Sequence, residues 1–183
     1  RTSLTQPFPT KPPAFVVQGL TEDDLIDFTP ELKAEALEIL DDFVYGPLFT
    51  PASLPDNSTG TRGTIFVPSA GGGANWPGAG VDPEANVLFV PGSNGAFYPF
   101  MGTLPEDESN FRFYRLANRG VPGPRGLPLL KPPYSTITAY DMDRGEILWQ
   151  VPNGDGMARV ENSSAVEGID FPPLGGGGRH PVL

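Results

Sequence analysis

The sequence predicts a mainly β fold, built on one four-stranded antiparallel sheet and preceded by a Pro-rich extension with one helix. Two observations predict it. Short runs of β-branched and aromatic residues are each closed by Pro, Gly or Asp turns. The chain also contains Gly 23 and Pro 23 among 183 residues, yet it is 38% hydrophobic. This composition fits one loop-rich globular unit better than a disordered chain.

The N-terminal extension, residues 1–62, is predicted to be a connector that contains one helix. Residues 1–20 include four prolines, which favour extended backbone, so we expect this part to lie outside the core. Thr29 is a good helix cap and Pro30 suits the first helical position, which predicts a helix over about 30–45 that ends before Gly46. Its apolar residues recur three and four positions apart and predict one buried face: Leu32, Ala36, Ile39, Leu40 and Phe43.

Strands are predicted from residue 63 onward, in a blade region over 63–152. The two turns that begin at Asp82 and Asp141 each follow a β-rich run and lead into another, which predicts two antiparallel hairpins. The predicted strands are 64–67, 80–82, 87–90, 135–140 and 147–151.

The two hairpins share one pattern, with their Asp residues 59 positions apart, and are joined by a long Pro- and Gly-rich insertion, 93–133. A meander with strands A to B and C to D, joined by a long B to C link, is the plan of one β-propeller blade. Since one blade cannot close a propeller, and the chain starts without Met, we expect a fragment of a longer protein. Residues 153–183 are predicted to be a Gly- and Pro-rich linker to the next blade.

Composition excludes several classes of function. A net charge of −10 disfavours a nucleic-acid partner, because the chain repels phosphate backbones. Cys 0 excludes disulfides and cysteine nucleophiles or metal ligands. No apolar run in this stretch approaches the roughly 20 residues that a membrane span requires. No Gly-x-Ser-x-Gly elbow points to a hydrolase, and the single His180 cannot build a zinc site alone.

Two motifs have a second interpretation. Asp141, Asp143 and Gly145 superficially suggest a calcium loop, but the twelfth position of that loop is Pro152 instead of Glu, so a turn capped by the Asp side chain is favoured. The glycine run 175–178 suggests a phosphate cradle, but no helix start follows it, and a flexible or tight turn is favoured.

The second hairpin carries the most specific motif, Ala139-x-Asp141-x-x-x-Gly145-x-x-x-Trp149. It resembles the tryptophan-docking motif of the pyrroloquinoline quinone (PQQ) dehydrogenases. The first hairpin, with Gly72-Gly73-Ala74-Asn75-Trp76 before it, resembles strands A and B of the same blade type. The run over 45–51, together with the run over 63–68, resembles the membrane-bound glucose dehydrogenase branch. The resemblance implies that Trp149 packs between neighbouring blades while Asp141 and Gly145 shape the turn.

The resemblance also implies a function for the parent protein. It implies an eight-bladed quinoprotein propeller that oxidises a sugar or alcohol by hydride transfer to PQQ, with Ca²⁺ or a similar divalent ion whose ligands lie in other blades. Electrons then pass to a membrane quinone or a cytochrome. The expected location is the periplasm, with any inner-membrane anchor in a segment outside this sequence. This fragment alone is expected to be inactive.

Blade geometry narrows the candidate site. In an antiparallel meander, the start of strand A, the end of strand B and the start of strand C lie at one end of the sheet. Strand A is expected to be innermost, so Asn75 and Trp76 are predicted to contact the cofactor by a hydrogen bond and by stacking. The alternative that both residues only brace the channel wall stays open. No catalytic base and no metal ligand are assigned.

One departure from the family pattern concerns strand B. Relatives often place an Asn that contacts the quinone at the end of this strand, where the present sequence has Pro91. Asn94 is the nearest substitute and completes the predicted cofactor-binding set. Because of Pro91, a non-catalytic propeller that serves as a binding or assembly scaffold and has lost its cofactor site is the alternative function. Asn75 and Trp76 favour the enzyme.

Overall fold

The computed structural model of the chain describes residues 5, 7, 9–56, 58–111 and 114–176, without the side chains of 114–116. This part contains two antiparallel sheets and two α-helices. The helices are α1 (Pro30–Leu40) and α2 (Ala158–Glu161), and 3₁₀ turns occupy Glu22–Asp24, Pro124–Gly126 and Ser164–Val166. The strands are β1 (Gly80–Asp82), β2 (Val87–Ser93), β3 (Phe97–Gly102), β4 (Tyr114–Gly120), β5 (Ser135–Asp141) and β6 (Glu146–Pro152). None of these helices is long and apolar enough to cross a bilayer.

The larger sheet has four strands in the order β1-β2-β5-β6, each antiparallel to its neighbour. This arrangement confirms the predicted mainly β, four-stranded antiparallel meander. One register row crosses all four strands through Gly80, Phe89, Ala139 and Trp149. Since alternate residues of a strand point to opposite faces, these four residues share one face of the sheet.

Strand β2 is longer than the predicted 87–90 and runs to Ser93, straight through Pro91. A Pro lacks an N–H group, so it can occupy a strand only where that group has no partner. The N–H of Ser93 points away from β5 and donates to Gly73 at 2.9 Å, and Pro91 has the same orientation. Because β1 already begins at Gly80, no strand of the described chain lies beside the nitrogen of Pro91. The sheet therefore tolerates this residue.

In both turns of the sheet, an Asp carboxylate accepts hydrogen bonds from backbone N–H groups. The Asp82 carboxylate accepts hydrogen bonds from the N–H groups of Glu84 and Ala85, at 2.9 and 3.1 Å. The Asp141 carboxylate accepts from Asp143 and Arg144, at 2.9 and 3.0 Å. The favoured interpretation of the Asp141 turn, an Asx-type turn, therefore agrees with the structure.

The insertion contains a hairpin that the sequence did not predict. β3 and β4 pair antiparallel as a separate two-stranded sheet, with a register shift between Phe100 and Met101. Phe97 exchanges backbone hydrogen bonds with Phe66, at 2.8 and 3.1 Å, which ties this hairpin to the segment before the blade. Part of the insertion is therefore ordered secondary structure.

Two predicted elements need correction. The helix ends at Leu40 and not near residue 45, because Val44 leaves the helix to accept a hydrogen bond from Ile65 and to donate one to Gly63. The strand predicted over 64–67 is not a strand. Only isolated bridges occur there, Val44 with Thr64 and Phe66 with Phe97, so these residues connect separate elements instead of joining a sheet.

The main hydrophobic core lies beside the four-stranded sheet and not within it. The buried face of α1 packs there with residues from segments on both sides of the sheet strands and from the insertion, among them Leu20, Ile65, Tyr98, Leu129 and Val160. Leu20 is 1% exposed, so the prediction that residues 1–20 lie wholly outside the core is wrong. The predicted C-terminal linker also contributes buried residues, Val160, Val166 and Leu174, while 177–183 lie outside the described residues.

Candidate functional site

The loop before β1, the end of β2 and the start of β5 meet at one end of the sheet. The loop before β1 is tied to the end of β2 by the hydrogen bond from Ser93 to Gly73. Asn94, the next residue, donates its N–H to Tyr134 at the start of β5, at 2.9 Å. Asp82 and Asp141 lie in one register row with Val87, at the opposite end of the sheet.

Trp76 is the most exposed large apolar side chain at this end, with 95% of its surface accessible. It sits in a tight turn that is closed by the N–H of Gly78 donating to Asn75 at 2.9 Å. Burying an indole ring removes a large apolar surface from water, and both of its faces are free to stack on a planar ligand. The indole is therefore available for stacking, and its contact with a cofactor stays a prediction.

Asn75 holds the turn that presents Trp76. Its side-chain NH₂ donates to the carbonyl of Gly71 at 3.0 Å, and its side-chain oxygen accepts from the N–H of Trp76 at 2.9 Å. Both ends of the amide are therefore used within the loop. The hydrogen bond to a cofactor that is predicted for Asn75 has to use the remaining capacity of these atoms.

Asn94 also uses both ends of its amide. Its oxygen accepts from the N–H of Val17 at 3.0 Å, and its NH₂ group donates to the carbonyl of Pro133 at 3.0 Å. The side chain is half-buried and joins the N-terminal part of the chain to the segment before β5. This geometry assigns Asn94 a structural role in the described chain.

One face of the four-stranded sheet is covered by the N-terminal segment, residues 11–17. The hydroxyl of Tyr140 donates to the carbonyl of Pro13 at 2.6 Å, and Gln150 donates to the carbonyl of Phe15 at 3.0 Å. Val16 lies so close to Gly73 and Gly92 that a Cβ at either glycine would approach it within 2.6 and 2.9 Å. The sequence did not predict this cover, since only the glycines hint at a close approach.

The opposite face of the sheet carries the docking motif. Ala139 is fully buried, and the ring of Trp149 lies 5.8 Å from that of Phe89, between centroids. Trp149 is 43% exposed and Val151 is 45% exposed, so this face presents an apolar surface. The N–H of Gly145 donates to Asp141 at 2.8 Å with a φ of 64° at the glycine, which favours Gly there.

A pocket of about 520 Å³ opens where the end of the four-stranded sheet meets the β3–β4 hairpin and α2. Its polar lining includes Ser93, Asn94, Tyr134 and Arg159, and Leu129 and Met157 are among its apolar residues. Tyr134 is 2% exposed, and burial raises the pKa of its hydroxyl far above the usual value, against a smaller opposing effect of Arg159. Neither Tyr134 nor Arg159 was predicted as a site residue from the sequence.

No group of three or more His, Cys, Asp or Glu side chains within the described residues is arranged to hold a metal ion. The described chain thus offers an aromatic platform at Trp76 and a polar pocket, and no metal-ligand cluster among its described residues.

Comparison with known proteins assigns the chain to a family. A profile described as "PQQ: Glucose/ethanol/alcohol dehydrogenase, beta-propeller domain" matches residues 1–176. The chain is 28% identical over 171 residues to the quinate/shikimate dehydrogenase (quinone) of Acinetobacter baylyi, covering 83% of this chain and 20% of that protein. It is 27% identical over 185 residues to the glycerol dehydrogenase large subunit of Gluconobacter oxydans, covering 85% of this chain and 24% of that protein.

The chain therefore spans about a fifth to a quarter of the length of these curated relatives. No solved structure matches it. The profile covers nearly the whole chain, and the observed antiparallel meander is the sheet that such a domain requires. The resemblance noted from the two hairpins is confirmed at the level of the family. This chain belongs to the PQQ-dependent glucose, ethanol and alcohol dehydrogenase family, as part of its β-propeller domain.

Proposed function

We propose that the protein containing this chain oxidises an alcohol or sugar with PQQ as its cofactor, and that Trp76 stacks on the PQQ ring system. The observation that supports this most directly is the 95% exposed indole of Trp76, presented at the end of the sheet where β2 ends and β5 begins. When bound, PQQ supplies the two-electron oxidant of the reaction.

In this proposal, the residues of this chain position the cofactor. Asn75 holds the turn through hydrogen bonds to Gly71 and Trp76 at 3.0 and 2.9 Å, so the backbone that carries the indole is fixed before a ligand arrives. Preorganisation of this kind reduces the entropy lost when the ligand binds. Ca²⁺ or a similar divalent ion belongs to the proposal, with ligands from other blades of an eight-bladed propeller.

The substrate class rests on the relatives. Two of them are named for quinate or shikimate and for glycerol, which are hydroxyl-bearing and non-aromatic compounds. We therefore propose a polyhydroxylated alcohol, sugar or hydroxy acid as substrate. Glucose is one member of this substrate class. The membrane-bound glucose dehydrogenase branch therefore belongs to the proposal. The proposed electron acceptor is a membrane quinone or a cytochrome, and the proposed location is the periplasm.

The test uses the full-length protein, purified without cofactor and then supplied with PQQ and Ca²⁺. Dye reduction is measured with glucose, glycerol, quinate and ethanol, and PQQ affinity is measured separately by titration of protein fluorescence. We expect PQQ-dependent dye reduction, and about tenfold weaker PQQ binding in Trp76→Ala, because an aromatic contact contributes about 0.5–1.5 kcal/mol beyond burial of area.

Trp76→Phe is the matched variant, since it keeps an aromatic face and is expected to retain most of the affinity. A correctly folded protein that neither binds PQQ nor reduces the dye contradicts the enzyme and favours the scaffold that Pro91 first suggested. If PQQ binds and turnover occurs but Trp76→Ala changes neither, the enzyme stands and Trp76 is only part of the channel wall.

A further inference from the structure

The loop that carries Trp76, residues 71–79, is attached to the body of the protein at Gly73. The loop contains four glycines, and Gly73 is its buried residue, while the residues from Asn75 to the end of the loop are exposed. The carbonyl of Gly73 accepts the hydrogen bond from the N–H of Ser93 at 2.9 Å. An exposed, Gly-rich segment keeps one position only where it is anchored, so the surroundings of Gly73 decide how firmly Trp76 is held.

Val16 of the N-terminal segment packs against the same glycine. A Cβ at Gly73 would lie 2.6 and 2.9 Å from the two methyl carbons of Val16, and a Cβ at Gly92 would lie 2.9 Å from one of them. Neither glycine has a positive φ, so the close approach of Val16, and not the backbone conformation, requires Gly at both positions. Val16 therefore contacts both the Trp76 loop and the last turn of residues in β2.

Asn94 holds the N-terminal segment directly beside Val16. Its side-chain oxygen accepts a hydrogen bond from the N–H of Val17 at 3.0 Å, and its NH₂ group donates to the carbonyl of Pro133 at 3.0 Å. Since Val17 follows Val16 in the chain, the Asn94 amide keeps Val16 against Gly73. The contact between the segment and the loop thus depends on one packed side chain and one hydrogen-bonded amide.

We propose that Val16 and Asn94 are positioning residues for the cofactor site, which together hold loop 71–79 in place and with it Trp76. Neither residue has to touch the cofactor. The proposal rests on the proposed function for the identity of the ligand, PQQ, whereas the contacts that hold the loop exist without a ligand. It also gives Asn94 a part in the cofactor site that uses the hydrogen bonds it already makes.

The first measurement is backbone hydrogen exchange of the full-length protein without cofactor, followed by mass spectrometry of the peptide that contains 71–79. We expect exchange of this peptide to be about fivefold faster in both Val16→Ala and Asn94→Ala, as for the loss of one ordinary hydrogen bond or small apolar contact. Val166→Ala is the matched control, because it removes the same two methyl groups from the main core. It is expected to leave exchange in 71–79 unchanged.

The second measurement is the affinity of the same variants for PQQ. We expect Val16→Ala and Asn94→Ala each to weaken binding by about two- to tenfold, since losing the position of the indole costs no more than the tenfold expected for losing the indole itself. In the Trp76→Ala background, neither substitution is expected to weaken binding further, because residues that act through Trp76 are not additive with it.

The outcomes separate this proposal from the proposed function. Unchanged exchange over 71–79 in both variants overturns it. So does faster exchange with unchanged affinity for PQQ, or a loss of affinity that is as large in the Trp76→Ala background as in the wild type. A protein that does not bind PQQ contradicts the proposed function, and the exchange measurement then decides by itself whether Val16 and Asn94 hold the loop.

Discussion

The ring of Trp149 packs against the ring of Phe89 across the buried Ala139, with 5.8 Å between the ring centroids. The three residues lie in one register row on β6, β2 and β5. A larger side chain at Ala139 would separate the two rings, which explains why the docking motif begins with Ala. The contact covers one side of the indole and leaves 43% of the residue accessible.

The first prediction concerns this indole. If a neighbouring blade covers its exposed side, Trp149→Ala is expected to lower the free energy of unfolding of the full-length protein by about 3–5 kcal/mol, as for other buried tryptophans. Denaturant unfolding measures this change. Trp76→Ala is the comparison, because Trp76 lies in the loop before β1 and takes no part in the docking motif. Equal effects of the two substitutions would contradict docking at Trp149.

The second prediction concerns the turns. Gly145 and Asn86 both have positive φ, 64° and 53°, four residues after the Asp that caps each turn. Gly145→Ala is expected to cost about 1 kcal/mol of unfolding free energy for this conformation alone, because the nearest atom to a new Cβ is 3.7 Å away. Asn86→Gly is expected to change stability by only a few tenths of a kcal/mol. Chemical denaturation of both variants gives the comparison, and a neutral Gly145→Ala would refute it.

The third prediction concerns the N-terminal segment. Gly92→Ala is expected to push Val16 and Phe15 off the sheet, since both lie 2.9 Å from the position that the new methyl group would occupy. Overpacking of this kind costs about 1–3 kcal/mol, and we expect faster proteolytic cleavage within residues 11–17. Gly120→Ala is the matched control because nothing lies within 4 Å of its added Cβ. Equal cleavage rates in the two variants would show that the segment is held by other contacts.

The fourth prediction concerns alkaline pH. Burial raises the pKa of both Tyr134 and Tyr140 above the ordinary value of 10.0. The unfolded chain therefore loses these protons first. The raised pKa values therefore stabilise the folded state fully below about pH 10, and this stabilisation is lost as the pH rises above that value. Unfolding midpoints between pH 8 and 11.5 are expected to fall less steeply in Tyr134→Phe than in the wild type. Parallel profiles would show that Tyr134 ionises as easily when folded as when unfolded.

The sequence predicted the features that depend on neighbouring residues. Asp82 and Asp141 cap their turns locally, so both turns and the order of the four strands followed from short patterns. The β3–β4 hairpin was missed because Pro99 and Gly120 interrupt its arms and its pairing depends on distant contacts with Phe66. The helix end was misplaced for the same reason, since Val44 is drawn away by Gly63 and Ile65.

In the candidate site, too, local patterns predicted some features, while contacts between distant residues could not be predicted. Trp76 was predicted because blade geometry places the start of strand A at the same end of the sheet as the end of strand B, and its contact with a cofactor stays a prediction. Nothing in the sequence around Asn94 shows that its amide joins Val17 to Pro133, residues 77 and 39 positions away. Tyr134 and Arg159 line one pocket only after the chain has passed through the β5–β6 hairpin, so no local pattern could have brought them together.

The cover that the N-terminal segment provides has a consequence for synthesis. Pro13 is bound by a residue 127 positions later, and Phe15 by one 135 positions later. The segment therefore leaves the ribosome long before its binding surface exists. Contacts of such sequence separation close slowly, and N-terminal parts emerge first during translation. During this interval Phe15 and Val16 have no sheet to cover, because the segment can bind only after β5 and β6 have been synthesised.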